Sequence, residues 1–283
     1  MTAEDEAPEP STSLPVWAGA RIAARRDELG LTQRDLAAAN QESQGTIALW
    51  EKGKRIPSLA QARGLDRTLQ TGKLFEELHP LWLQHAYPSW FGAYVEMEQR
   101  AIEARIFEPQ IVPALFQTED YARATLAQLR PDQDRLEDLL TARMSRQEIL
   151  EREDRLRVWT IMDESVLSRA LGGPEVMRVQ LERLLSEGEQ PRTVMQVVPS
   201  RVHNRPGLSG AFTVLTLPKK ANGALYSDGF LQGRTSADPD DVAAGHRAYD
   251  LLVSVAMSHE DSAHLISDYL KGGKCELCKR LER

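Results

Sequence analysis

Between Ser43 and Pro57 the chain reads SQGTIALWEKGKRIP, and the spacing of its side chains sets out a chemistry. On a helix over 43–52, turned through about 100° per residue, Ser43, Ile47 and Trp50 fall on one side. Gln44, Gly45, Ala48, Leu49 and Lys52 fall on the other. A glutamine near a helix start, such as Gln44, carries the donor and acceptor that match adenine N6 and N7. Leu49 offers a methyl contact to thymine. Gly45 costs about 1 kcal/mol in a helix interior, but with Ala48 it would let the backbone come close to base edges. Lys52, Lys54 and Arg55 gather at the far end, where phosphate would require them. The pattern is that of a base-reading helix with a basic end.

The elements around it support that use. Thr32 with Asp35 three residues on has capping-box spacing ahead of Leu36-Ala37-Ala38-Ala39. Asn40 and Gln41 suit a turn, and Ser43 is the next N-cap. Gly53 stops the second helix, with Pro57 beyond it. A basic amphipathic helix is expected from Val16 to Leu29, with Ile22 and Leu29 toward the core and Gly30 as its end. Ser58 and Gln61 repeat the capping-box spacing in front of Leu59, Leu65 and Leu69. Four or five short helices between residues 15 and 72 make a small all-helical head of helix-turn-helix type, whose second helix enters the DNA major groove.

Charge is distributed to match. The 283 residues carry a net charge of −7. Residues 1–14 hold four acids and no base, 15–72 hold nine bases against six acids, and 73–283 therefore carry −6. The basic excess sits where phosphate would be met, on an otherwise acidic body that limits non-specific binding. No apolar run is long enough to span a bilayer, so no membrane partner is expected. The N-terminus is acidic and proline-rich, unlike a signal peptide. Two cysteines fit a reducing compartment, and we expect a cytoplasmic, nucleoid-associated protein.

No nucleophile elbow, phosphate-binding glycine loop or zinc helix is present, and no enzyme activity and no cofactor are expected. Glu108, Glu119 and Asp120 cluster in sequence, with helix-capping and surface duty the better account of the last two. His203 lies in a Pro/Gly loop between strands, where a solvated or loop-bracing role is expected. Cys275 and Cys278 have CxxC spacing, but structural zinc needs four ligands, so no metal is assigned and a reduced, frayed tail is the expectation.

The rest of the chain alternates in period. Lys73–Tyr87 and Ser89–Ile106 read as helices broken at Pro80 and Pro88, the second with Trp90, Phe91, Tyr94, Met97 and Ile102 at helical spacing. An extended run from 107 precedes a helix capped by Thr118, and Pro131–Glu153 reads as one long helix. Leu156–Met162, Thr193–Val198 and Ala211–Leu217 read as strands, Leu225–Leu231 less strongly, with a helix from Pro174 to Glu187 and two more over Pro239–Ser258 and Glu260–Leu270. The expectation is a mainly α protein with an α+β C-terminal part. It comprises a disordered tail 1–14, a head 15–72, a helical linker 73–106, a regulatory and dimerisation domain 107–270 with a small sheet of three to four strands, and a flexible tail 271–283.

Two resemblances add to this. Arg26, Gly30-Leu31-Thr32-Gln33, Leu36-Ala37, Ser43, Thr46-Ile47, Glu51, Gly53, Arg55 and Pro57-Ser58 resemble the lambda-repressor-like, or XRE, helix-turn-helix family. The resemblance implies that Gln33 and Ser43 steady the backbone contact and that Gln44, Gly45 and Leu49 read bases, with Thr46 counted among the DNA-facing residues. It also implies a structural ion pair between Arg26 and Glu51. Asn40-Gln41 stands where that family often has glycine, and Glu42 where an apolar residue is usual. FEPQIVPALFQTEDYARA, GGPEVMRVQLERLL and PGLSGAFTVLTLP resemble the C-terminal domain of WhiJ-like regulators of filamentous actinobacteria, sometimes called antitoxin-like. That likeness implies a small neighbour-encoded protein partner. Together these readings predict a sequence-specific, repressor-type transcription regulator that binds operator DNA as a homodimer and receives a signal through its C-terminal domain. An antitoxin neutralising a small partner, or an enzyme fused to a DNA-binding head, are the competing classes.

Overall fold

A computed structural model of the chain describes residues 13–87, 89–203, 206–218, 223–229 and 232–272. Within these the chain falls into two units, one formed by the residues up to 89 together with 129–145, the other by 90–128 and the residues from 146 onward.

The first unit opens with α1 (Leu14–Glu28), α2 (Gln33–Asn40), α3 (Gln44–Glu51), α4 (Leu59–Leu69) and α5 (Leu74–Ala86). Local chemistry sets these boundaries. Thr32 and Asp35 form a reciprocal capping box on α2, Ser58 and Gln61 another on α4, and Ser43 Oγ accepts from the Thr46 N–H at the start of α3. Gly53, at φ +64°, ends α3. The α2 helix ends on Gln41 at φ +58°, a left-handed position that glycine takes at less cost. Ile22, Leu36, Ile47, Trp50, Leu65, Leu69, Phe75 and Trp82 form one apolar core.

The expected linker 73–106 does not exist as one piece. Asp66, buried on α4, accepts hydrogen bonds from the Phe75 N–H at 3.0 Å and the Glu76 N–H at 2.9 Å. A residue of the head thus caps α5 and keeps it in the head core. Nor does Pro80 break the helix. It sits exposed inside α5 while Phe75, Trp82 and Ala86 anchor the helix on both sides, which outweighs a proline cost of about 3 kcal/mol.

The second unit begins with α6 (Ser89–Arg100) and β1 (Glu103–Glu108). The expected helix to Ile106 therefore ends early, and Ile102 lies outside it, 54% exposed. Charged Glu103 and Arg105 alternate with Ala104 and Ile106, and this strand period overtakes the helical one. After α7 (Glu119–Ala127), capped by Thr118, the chain passes into α8 (Gln133–Arg146), which lies in the first unit up to Ser145. The long helix expected to Glu153 tightens after Arg146 into a 3-10 turn over Gln147–Leu150.

Then follow β2 (Arg157–Asp163), α9 (Glu164–Ser168), α10 (Pro174–Gly188), β3 (Thr193–Val198), β4 (Phe212–Thr216), β5 (Ala224–Ser227), β6 (Arg234–Ser236), α11 (Pro239–Val253) and α12 (His259–Leu270). The sheet has six strands in the order β3-β2-β1-β4-β5-β6, against three or four expected. β1, β2 and β3 run parallel, with Ile106 opposite Thr160 and Thr160 opposite Met195. β4 returns antiparallel beside β1. The two strands not foreseen are β1, masked by its charges, and β6, three residues at an edge. Alternate residues face different cores. Ala104, Ile106, Val158, Met162, Met195 and Val197 join one large cluster with Leu181, Leu184 and Leu265, while Phe107, Ile161 and Val198 pack with Tyr249 and Leu252 of α11. The chain is mainly helical, with an α+β C-terminal part.

Residues 1–12 of the expected tail and 273–283, with Cys275 and Cys278, lie outside the described residues. Leu14 already belongs to α1, two residues before the predicted helix start.

Candidate nucleic-acid interface

The head is built to hold α3 by its inner face. Thr46, Ile47 and Trp50 are buried, whereas Ser43, expected inward, is exposed and spends its hydroxyl on the helix start. Thr46 was expected to face DNA. It is 7% exposed and its hydroxyl lies 2.9 Å from Ser43 Oγ, so it locks the first turn. Gln44 and Gly45 are exposed, and Ala48 and Leu49 half-buried beside them. This leaves an outer face of one amide, one bare backbone position and one methyl, flanked by Leu49.

Two glycines let α3 lie where it does. A Cβ on Gly19 of α1 would stand 2.4 Å from the Trp50 carbonyl oxygen, so α1 and the end of α3 meet backbone to backbone. A Cβ on Gly53 would stand 2.5 Å from the Val16 nitrogen. By contrast, a Cβ on Gly45 would meet only Ser43 Oγ, at 3.6 Å. Packing does not require that glycine.

Polar contacts fix the orientation. Arg26 Nε donates to Glu51 Oε1 at 2.5 Å, and its Nη1 donates to the Leu31 carbonyl at 2.9 Å. Gln33 Nε2 donates to Glu51 Oε2 at 2.7 Å. The Glu51 side chain is 8% exposed and that of Arg26 12%, and the carboxylate holds the Arg26 guanidinium pKa above its ordinary value. One carboxylate therefore clamps α1, α2 and α3 together, with Gln33 as its third member. Glu42, in the place of an apolar residue, accepts from Gln61 Nε2 at 2.5 Å and ties the α2–α3 turn to α4. Asn40 donates to the Leu36 carbonyl and to Thr68 Oγ1.

The basic residues divide. Lys52 and Lys54 are exposed beyond α3. Arg55 is half-buried, its Nη2 3.7 Å from Glu137 Oε2 of α8. The next carboxylate, Asp138, accepts from the Ile56 N–H at 2.8 Å. Burial pushes Asp138 up to about 6, against the opposing pull of that N–H and of Arg135. Sequence reasoning did not reach these two acids, since no local signal joins positions some 80 residues apart. It also missed Arg34, exposed on α2 beside a surface depression of about 530 Å³ that Thr32, Gln33 and Gln44 also line.

Residues 22–73 match the family described as Helix-turn-helix, and residues 91–268 match the family described as Domain of unknown function (DUF5753). The chain belongs to the DUF5753 family. No curated protein and no solved structure matches it. The head of this DUF5753 chain is that of a DNA-binding regulator.

The DUF5753 unit itself holds no helix long and apolar enough to cross a membrane among its described residues, and no grouping of three or more His, Cys, Asp or Glu placed to hold a metal ion. Glu119 pairs with Arg123 on the surface of α7, Asp120 is exposed beside it, and Glu108 ends β1. His203 is exposed in the β3–β4 loop. A buried charge pair of the unit is structural in geometry. Arg146 grips Glu98 with two bonds of 2.7 Å, Tyr94 donates to the same carboxylate, and the guanidinium lies 5.1 Å from the Phe91 ring centre. Such a fork, with aromatic faces on its flank, satisfies a buried charge pair that would otherwise cost several kcal/mol.

Proposed function

We propose that this protein is a sequence-specific transcription regulator whose α3 enters the major groove of operator DNA. The outer face of α3 carries the reading: Gln44 and Gly45 are exposed while Thr46, Ile47 and Trp50 pin the helix from behind. Gln44 pairs with adenine, Leu49 touches a thymine methyl, and Gly45 and Ala48 admit the helix close to the bases. Lys52, Lys54 and Arg34 meet phosphate, while Gln33 and Ser43 steady the edges of the contact. With so few hydrogen-bonding groups on the face, DNA shape and the spacing of two half-sites carry part of the specificity. That requires a homodimer, which the DUF5753 unit supplies, and the same unit receives the signal.

A gel-shift competition after selection of bound DNA by the purified full chain tests this. Gln44→Ala is expected to cost about 1–3 kcal/mol at the preferred site and little elsewhere. An unchanged sequence preference would remove Gln44 from the reading face. An antitoxin-like chain neutralising a small neighbour-encoded partner is the second reading, favoured by the resemblance of the 107–124, 172–185 and 206–218 segments. Pull-down of a stoichiometric small protein would select it.

A further inference from the structure

We propose that the DUF5753 unit binds a small polyanion, bearing two or more phosphate or carboxylate groups on an apolar skeleton, in a basin at the amino ends of its parallel strands.

The basin measures about 600 Å³ and lies where α6 gives way to β1, where β2 and β3 begin and where β4 ends. Four arginines from four segments line it, Arg100, Arg152, Arg157 and Arg192, against two acids, Glu103 and Asp154. The sequence beyond residue 72 carries −6, so a local excess of arginine runs against the composition around it.

The floor is apolar. Ala101, Ile102, Ile149, Leu156 and Pro218 contribute, and Ile102 is 54% exposed, a large side chain left bare.

Ordinary bracing accounts for both arms of Arg152 but only one arm of Arg192. Arg152 Nη1 donates to the Gln99 carbonyl at 2.8 Å and its Nη2 to Gln99 Oε1, while Arg192 Nη1 donates to the Arg155 carbonyl at 2.8 Å. A guanidinium has five N–H donors in a rigid fork, so pinning Arg192 by one arm aims its others at little further entropy cost, and Arg152 is held in place at the rim. Arg157 shares Glu103 at 3.2 Å but is 66% exposed. The side chain of Arg100, the last residue of α6, makes no hydrogen bond or ion pair with any described residue. Such forks match phosphate and carboxylate oxygens in pairs.

Size and charge select the ligand class. A concave site of this volume suits a small molecule, and the acidic unit around it repels a long polyanionic strand. The proposal deepens the reading of this unit as the sensor. It rests on that reading for its regulatory consequence only, since binding itself is measured without DNA.

Isothermal titration of the full chain with inorganic pyrophosphate and, separately, citrate at low ionic strength tests the site. Saturable 1:1 binding of at least one is expected, weakened at least tenfold in Arg100→Glu and in Arg157→Glu. Both replacements are at exposed positions, and circular dichroism and melting of each variant confirm folding. The Lys52→Ala head variant is expected to bind as the unaltered chain does, and binding lost there instead would place the anion on the head and overturn the proposal. Absence of binding of both probes at 10-millimolar order concentrations, or binding unaltered in both charge reversals, would overturn it too. A gel shift on the same preparation without added anion is the separate readout of the DNA reading, so either can fail alone.

Discussion

The Asp138 carboxylate on α8 accepts the backbone N–H of Ile56 at 2.8 Å, across 82 positions of sequence. Its neighbour Glu137 meets Arg55 from the same helix turn. The loop that follows α3, with its basic side chains, is thus held from behind by a helix that comes after β1 and α7 in the chain. In the first unit, Ala142 of α8 is fully buried in the head core, and Tyr87 donates to its carbonyl. The head is therefore larger than the helix-turn-helix match alone.

Asp138 makes the head's stability depend on pH in a definite direction. Its folded pKa of about 6 lies above its ordinary 3.8, so its contribution is full below 3.8 and is lost as pH rises through about 6. His79, buried and donating to the Pro57 carbonyl, is lowered from 6.5 to about 4 by burial and by Arg63. Its contribution is present above 6.5 and lost as pH falls toward 4. The two oppose each other between about 4 and 6. Asp138→Asn keeps an acceptor for Ile56 and removes the charge, so stability should rise more steeply from pH 4 to 6.5 than in the unaltered chain, and should be no lower at pH 7. Urea titrations of Trp fluorescence across that range check it, and superimposable pH profiles would refute the assignment.

Gly19→Ala drives a methyl to 2.4 Å from the Trp50 carbonyl. Backbone must move on both helices, and a loss of about 1–3 kcal/mol is expected. Gly53→Ala combines a 2.5 Å clash with a left-handed φ of +64° and should cost at least as much. Melting temperatures of the two variants measure this.

Gly45→Ala separates folding from binding. The added methyl meets nothing closer than 3.6 Å and gains helix propensity, so stability should rise by up to about 1 kcal/mol. If α3 enters the groove by this face, DNA affinity should fall in the same variant. A stabilised protein that binds its preferred site undiminished would move the interface elsewhere.

Breaking the clamp on α3 should be expensive. Arg26→Met leaves the Glu51 carboxylate, 8% exposed, with Gln33 as its remaining partner, and about 3–5 kcal/mol is expected. Replacing both Arg26 and Glu51 by methionine should cost less than the two single changes summed. A double-mutant cycle by chemical denaturation reads the coupling directly.

Lys52→Ala and Lys54→Ala should weaken binding to every sequence and lower the salt slope by about one unit each. Arg55→Ala should do less, because Glu137 already engages that guanidinium. Glu137→Gln should then strengthen binding in low salt, a gain that disappears when Arg55 is also removed. Fluorescence anisotropy over a salt series distinguishes these outcomes.

Much of the head was legible because its signals are local. The capping residues Thr32, Ser43 and Ser58, the stop at Gly53 and the buried pair Ile47 and Trp50 act within one or two turns, and each stands where its spacing placed it. The strands Thr193–Val198 and Phe212–Thr216 were legible for the same reason, since apolar β-branched runs declare themselves. Tertiary structure alone decided the rest. β1 became a strand because β2 and β4 lie on either side of it, a pairing that its few residues after α6 do not record. Pro80 stayed in a helix because Phe75 and Trp82 bury on both sides of it. Thr46 turned inward because Ser43 took the cap. Arg55 lost its freedom to an acid 82 residues away. Caps and periods are set by neighbours along the chain. Partners across the chain are set by closing long loops, whose cost is met only by the whole core at once, and no short stretch of sequence records that.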